Sequence, residues 1–324
     1  MSDARDRRPA KRSEAPRPRA VLIAGPTASG KSALALDLAE TLGGVVINTD
    51  SMQIYDGLRI LTARPSVEEE ARAPHRLYGH VDPARAFSVA DWLGDVERLL
   101  ADLRVENQIQ ERVPIFVGGT GLYFESLLKG LAPVPRVHEE IRVRWRRAAA
   151  EIGAAGLHAE LARRDPAAAL RLAPTDTQRL TRALEVVEAT GRSILDWQNE
   201  PHSAPLLGED ETARLVLEPE RAVLHERIER RFRAMVAEGA IEEAAAFAGR
   251  GLAPDLPATR AIGVAALAAV ASGDISLEEG IRRAVVETRQ YAKRQSTWFR
   301  GRMGEWARGH AGALARRVEA AFGR

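Results

Sequence analysis

Gly25-Pro26-Thr27-Ala28-Ser29-Gly30-Lys31-Ser32 has the spacing Gly-x4-Gly-Lys-Ser/Thr, and its flanks decide how it folds. Ala20 to Ala24 is a short apolar strand that runs straight into Gly25. After Lys31, Leu34, Leu38 and Leu42 recur at helical spacing until Gly43 and Gly44 stop the pattern. Strand, glycine loop and helix are thus expected in that order. The glycines let successive backbone N–H groups converge on an anion at the positive end of the helix. Lys31 adds a mobile cation, and the Ser32 hydroxyl is placed to ligate Mg²⁺. Gly25 to Ser32 therefore reads as a phosphate or diphosphate site, but the loop does not say whose phosphate it holds.

Outward from the loop, Val45 to Asn48 is a second strand that delivers Thr49, Asp50 and Ser51 at its C-terminal end. A helical pattern over Val89 to Ile109 leads to the apolar run Val113 to Val117, which ends in Gly118 and Gly119 before another helix near Leu122. Apolar strands each followed by a helix predict an α/β fold with a parallel sheet, whose ligands sit at the strands' carboxyl ends. A nucleotide hydrolase would place an acid for Mg²⁺ at the end of such a strand. Gly118-Gly119-Thr120 stands there instead, which weighs against an ATPase. Asp50 in Asp50-Ser51-Met52-Gln53-Ile54-Tyr55 reads either as a turn cap or, given its place at the sheet edge, as a proton acceptor or metal-positioning carboxylate. Gln53 offers an amide suited to a purine edge.

The 324 residues amount to about two domains at roughly 150 residues each. Hydrophobic residues are 45% and charged residues 28%, which fits a folded globular chain. With no cysteine, disulfides, thiolate metal sites and a cysteine nucleophile are excluded. The longest apolar stretch, Ala261 to Ala271, is too short for a membrane helix, and Ser2 to Arg19 has no signal-peptide core, so a cytoplasmic address is expected. Residues 1–19 read as a disordered basic tail, in which Arg5, Arg7, Arg8, Lys11, Arg12, Arg17 and Arg19 face only Asp3, Asp6 and Glu14. From Arg136 to about Ala204 no strand is evident, only Ala- and Arg-rich helical segments. This predicts a helical insertion at 136–204 between core segments 20–135 and 205–310. Leu215 to Leu217 reads as one more strand. Between Arg282 and Arg302 seven cations face only Glu287, which favours a phosphate-backbone contact surface over an ordinary solvated helix face. The seven histidines lack metal-ligand spacing.

GPTASGKS, DSMQIY, PHRL at Pro74 to Leu77, VGGTGLY at Val117 to Tyr123, QRLTR at Gln178 to Arg182, HERIERRF at His225 to Phe232 and TRQYAKRQSTWFR at Thr288 to Arg300 follow one another in order. Together they resemble the isopentenylpyrophosphate:tRNA transferases, the tRNA dimethylallyltransferase family, from about Ala20 to Arg302. The resemblance implies a P-loop core that moves a dimethylallyl group from dimethylallyl diphosphate to the N6 amine of adenosine 37 in tRNA. It implies that Gly25, Pro26, Thr27, Ala28, Ser29, Gly30, Lys31 and Ser32 hold the diphosphate, with Mg²⁺ at Ser32 and a further charge from Arg231. By the same resemblance Asp50 and Thr120 are catalytic, with Asp50 the general base on N6. The implied tRNA contacts are Asp50, Ser51, Met52, Gln53, Thr120, Arg142, Gln178, Arg179, Leu180, Thr181, Arg182, Arg260, Gly263, Lys293, Arg294, Gln295 and Arg300. The insertion would grip the anticodon stem-loop, and a monomer is expected.

Two segments depart from the family pattern: GTAKP reads Leu61-Thr62-Ala63-Arg64-Pro65, and IGY reads Ile262-Gly263-Val264. Neither touches the glycine loop or Asp50. Three other readings use the same loop: a small-molecule kinase, a relative that prenylates free AMP, and a noncatalytic RNA-binding protein. The first leaves QRLTR and the basic helix without a role. The long arginine-bearing insertion argues for a macromolecular acceptor over the second, and intact Lys31, Ser32 and Asp50 argue against the third.

Overall fold

The computed structural model describes residues 17–106 and 112–323. Most of the tail expected at 1–19 lies outside the described residues. Its last member, Arg19, pairs with Glu211 at 3.2 Å. The last residues of the helix expected to end at Ile109 also fall outside.

The expected α/β core is present. β1 (Ala20–Ala24), β2 (Val45–Asn48), β3 (His75–Arg76), β4 (Pro114–Gly118), β5 (Thr212–Leu217) and β6 (Ala307–Gly309) form one parallel sheet in the order β3-β2-β4-β1-β5-β6. β1 and β2 have the bounds expected from sequence, and β5 begins earlier, at Thr212. Every residue of β1 is buried, because helices cover both faces of the sheet. Val21 and Ile23 pack on α1 (Lys31–Leu42) through Leu34 and Leu38. Leu22 joins the opposite core with Phe116, Trp92, Phe124 and Phe299. Truncating such a side chain to Ala costs about 2–5 kcal/mol.

The chain continues through α2 (Val67–Arg72), α3 (Val89–Glu106) and α4 (Gly121–Lys129). Four helices follow: α5 (Glu139–Arg164), α6 (Pro166–Arg171), α7 (Thr177–Thr190) and α8 (Ile194–Asn199). They share a separate core of Trp145, Leu157, Leu161, Ala168, Leu180 and Leu184. α5 is broken at Gly153, whose φ of 63° combined with a ψ of -175° is a region that essentially only glycine adopts. The way in and the way out run side by side: Ser203 N–H donates to the Leu131 carbonyl at 2.9 Å, and Leu131 N–H donates to Ser203 Oγ at 3.1 Å.

After β5 come α9 (Arg221–Ala237), α10 (Ala240–Ala248), α11 (Val264–Ala271), α12 (Leu277–Arg302) and, beyond β6, α13 (Ala311–Phe322). Leu314 and Val318 of α13 are buried against the α1 face of the sheet. The core therefore continues past residue 310, the end expected from sequence. Because all strands are parallel and β2, β4 and β1 are neighbours, the loops that leave their carboxyl ends meet at one edge.

Candidate active site

Three of those loops build the site. The first, between β1 and α1, turns through Ala28 and Gly30, both in the left-handed region at φ 63° and 93°. Ser29 N–H donates to the Pro26 carbonyl at 3.1 Å, and Lys31 Nζ curls back to the same oxygen at 3.4 Å. The first N–H groups of α1 have no preceding helical carbonyl, so they remain donors for an anion. Ser29 Oγ is buried without a protein partner. α9 braces the loop: Arg231 donates to Thr27 Oγ1 at 2.5 Å and Arg227 to the Ser29 carbonyl at 3.3 Å. Arg227 was not assigned from sequence; its signal is its place one helical turn before Arg231.

Burial pushes the Lys31 amine down to about 8, although Asp50 nearby favours its charged form and Arg231 disfavours it. Burial also lowers Arg231, and the Asp50 charge opposes that shift. These two cations line a cavity of about 770 Å³ with Ala28, Gly30, Ser32, Arg64 and Arg227.

The second loop carries Asp50. Asn48, fully buried at the end of β2, accepts the Asp50 N–H at 2.9 Å and donates to the carbonyls of Asp50 and Leu77, each at 3.0 Å. Asp50 Oδ1 in turn accepts the Met52 N–H at 3.0 Å. The carboxylate is thus fixed by a local turn, and the backbone that carries it by the buried Asn48 amide. The third loop reaches over from β4. Thr120 Oγ1 accepts the Ser51 N–H at 2.9 Å, and Thr120 N–H donates to the Thr49 carbonyl at 3.2 Å. This close approach needs glycine, since a Cβ on Gly118 would stand 2.0 Å from the Thr49 carbonyl oxygen.

Tyr291 of α12 is a second neighbour missed from sequence. Burial, followed by the Asp50 charge, raises its pKa, and the nearby Arg294, Thr120 and Gln295 side chains work against that rise. It stays protonated and able to donate. Burial, aided by Asp50, likewise raises Tyr78 and, with Tyr55 ahead of Asp50, Tyr123, which stacks on Trp92 at 4.3 Å.

Several expected contact residues are placed otherwise. Leu180 is fully buried and Thr181 nearly so, both in the insertion's interior, because QRLTR spans more than one face of α7. Gly263 is buried as the left-handed N-cap of α11, φ 91°. The Gln53 amide donates to the carbonyls of Thr62 and Ala63, both at 2.9 Å, so its N–H groups are engaged away from any purine. Thr27 N–H is engaged by Gln295 Oε1 at 2.9 Å and is no free donor to a phosphate. Gln295 itself is buried and does not present its amide to RNA. Gln178, Arg179, Arg260, Lys293, Arg294 and Arg300 are exposed, and Arg142 and Arg182 partly so.

The charge of α12 is also less bare than the sequence count implies. Arg282 and Arg283 pair with Glu279, Arg289 with Glu229, Arg300 with Glu218 and Arg302 with Glu125. Among the described residues, Lys293 and Arg294 of this helix form no ion pair. With Gln290, Thr297 and Trp298 they line a shallow hollow of about 490 Å³.

The IPP transferase family model matches residues 53–302. The chain belongs to the IPP transferase family. A tRNA dimethylallyltransferase of Mesorhizobium japonicum is 54% identical over 88% of this chain and 87% of its own length. One from Azorhizobium caulinodans is 54% identical over 90% and 92%. Among solved structures, the tRNA isopentenylpyrophosphate transferase of Bacillus halodurans superposes with a TM-score of 0.64 at 32% identity, covering 94% of this chain and 97% of that one. A eukaryotic dimethylallyltransferase acting on tRNA gives 0.73 at 26% identity, over 91% and 74%. The likeness to these solved relatives extends over more than nine-tenths of this chain and agrees with its parallel sheet flanked by helices.

Proposed function

We propose that this protein transfers the dimethylallyl group of dimethylallyl diphosphate to the N6 amine of adenosine 37 in tRNA and releases diphosphate. The observation that carries the reading is the meeting, at one sheet edge, of a phosphate loop braced by two arginines with a carboxylate fixed on the adjacent loop. Lys31, Arg231 and the first N–H groups of α1 bind the diphosphate and stabilise it as it leaves. Asp50 accepts the N6 proton as the N6–C1 bond forms, and the electrons of the breaking C1–O bond pass to the diphosphate. Such general-base assistance is worth about 10²- to 10⁴-fold. Thr120, tied to Ser51, sets the orientation of the Asp50 loop toward the extruded base.

Among the described residues no cluster of three His, Asp or Glu side chains is arranged for a metal. Mg²⁺ needs no such cage, because it is commonly held by substrate phosphates and one or two protein oxygens. The donor set here fits that mode: Ser32 and the donor's phosphates would hold the ion, which would neutralise charge on the leaving group. The exposed Gln178 and Arg179 and the partly exposed Arg142 and Arg182 of the insertion 136–204, with Lys293, Arg294, Arg300 and Arg260 of the core, contact the anticodon stem-loop as a monomer's single RNA surface. No helix among the described residues is long and apolar enough to cross a membrane, in keeping with a cytoplasmic enzyme.

The test is incubation with labelled dimethylallyl diphosphate and tRNA, followed by mass measurement of the nucleosides. The expected product is N6-(dimethylallyl)adenosine. Label that appears only in small molecules, or phosphate transfer from ATP with no prenylated RNA, would overturn the reading.

A further inference from the structure

Gln295 is one of the few buried polar side chains of the molecule, and both ends of its amide are engaged in different loops. Oε1 accepts the N–H of Thr27 in the phosphate loop at 2.9 Å. Nε2 donates to the carbonyl of Gly119 in the loop after β4 at 3.0 Å. The space above Gly119 is shared: a Cβ there would stand 2.0 Å from Gln295 Nε2 and 3.1 Å from Asp50 Oδ2. The amide therefore lies beside the carboxylate while it grips the donor loop.

We infer that Gln295 is a positioning residue that locks the phosphate loop to the acceptor loop, fixing the separation between leaving group and attacking nitrogen. The inference rests on the prenyl-transfer reading above. Among the described residues no other side chain bonds to both of these loops: Arg231 and Arg227 reach the phosphate loop from α9, and Asn48 and Thr120 bond to the Asp50 loop. An in-line displacement is sensitive to this separation, since a misplacement of about 1 Å costs about 10²-fold in rate. The neighbours Lys293 and Arg294 are exposed and form no ion pair among the described residues, whereas Gln295 is buried. α12 thus carries cations for RNA on its outer face and the lock on its inner face.

The test compares wild type with Gln295→Met, which keeps length but loses both hydrogen bonds, and Gln295→Glu. Readouts are the single-turnover rate at saturating dimethylallyl diphosphate and anticodon stem-loop RNA, the donor KM, the RNA Kd and the Tm. Gln295→Met is expected to lower the rate by about 10²-fold with donor KM and RNA Kd within about 3-fold. Gln295→Glu keeps an acceptor for Thr27 but donates to Gly119 only when protonated. Its rate relative to wild type should therefore rise as pH falls, a profile that a purely structural role does not produce. If Gln295→Met does not fold, this pH profile alone decides. An unchanged rate, a flat ratio for Gln295→Glu, or a loss of RNA affinity that accounts for the whole rate loss would overturn the inference. If wild type itself leaves RNA unprenylated, the proposed function fails instead, whatever the variants do.

Discussion

The half of the site proposed to hold the donor and the half proposed to hold RNA are built on opposite plans. The donor half is made of backbone turns and buried side chains: Asn48, Gln295 and Arg231 each bond to a loop whose position follows from the sheet. The half proposed for RNA is made of exposed or half-exposed arginines, some already paired with an acid: Arg179 with Asp176, and Arg182 with the buried Glu185, both at 3.3 Å. A largely exposed pair such as Arg179 with Asp176 is worth about 0–1 kcal/mol, so it can be exchanged for an RNA phosphate at little cost. The difference teaches that chemistry should be lost by single substitutions, whereas RNA affinity should erode in increments.

The largest effect is expected at Asp50. Asp50→Ala should lower single-turnover prenylation by about 10²-fold or more while RNA Kd stays within a few-fold; unchanged turnover would remove Asp50 from the chemistry. Lys31→Ala comes next, raising donor KM by about 10- to 100-fold, the range for a hydrogen bond to a charged group. The same amine gives a pH signature. Lys31 is charged below its value of about 8 and neutral above it. Donor kcat/KM should accordingly fall as pH rises from 7 to 9, and the fall should be absent in Lys31→Ala. Gly118→Ala tests the backbone side of the comparison. Its Cβ meets the Thr49 carbonyl, so it should cost about 1–3 kcal/mol in thermal unfolding, a cost typical of overpacking. Arg179→Ala with Arg182→Ala is expected to have the smallest effect, weakening RNA binding by about 10-fold and reducing its salt slope by about 1–2. A slope that did not change would place the RNA elsewhere.

The donor half was also the more legible half. A glycine loop between an apolar strand and an amphipathic helix leaves little choice of geometry, and Asp50 follows directly from the end of β2. β3 and β6 were missed because two or three residues show no periodicity. The RNA half misled where one motif spans two helix faces. Leu180 repeats with Ala183 and Leu184 at core spacing, a signal that was available. Gln295 sits between Arg294 and Ser296 in a basic run, yet only the packing of α12 shows that it turns inward. The net charge of α12 was overread for a related reason: Glu218, Glu229 and Glu125, which neutralise it, come from distant segments.

The central claim is that the loop from Gly25 to Ser32 holds the donor's leaving group with its reactive carbon toward Asp50. A crystal grown with a non-reacting thio analogue of dimethylallyl diphosphate tests it most directly. The account predicts both phosphorus atoms between Lys31, Arg231 and the start of α1, with the first prenyl carbon facing the Asp50 carboxylate. A diphosphate bound away from this loop, or a prenyl chain directed away from Asp50, would contradict it.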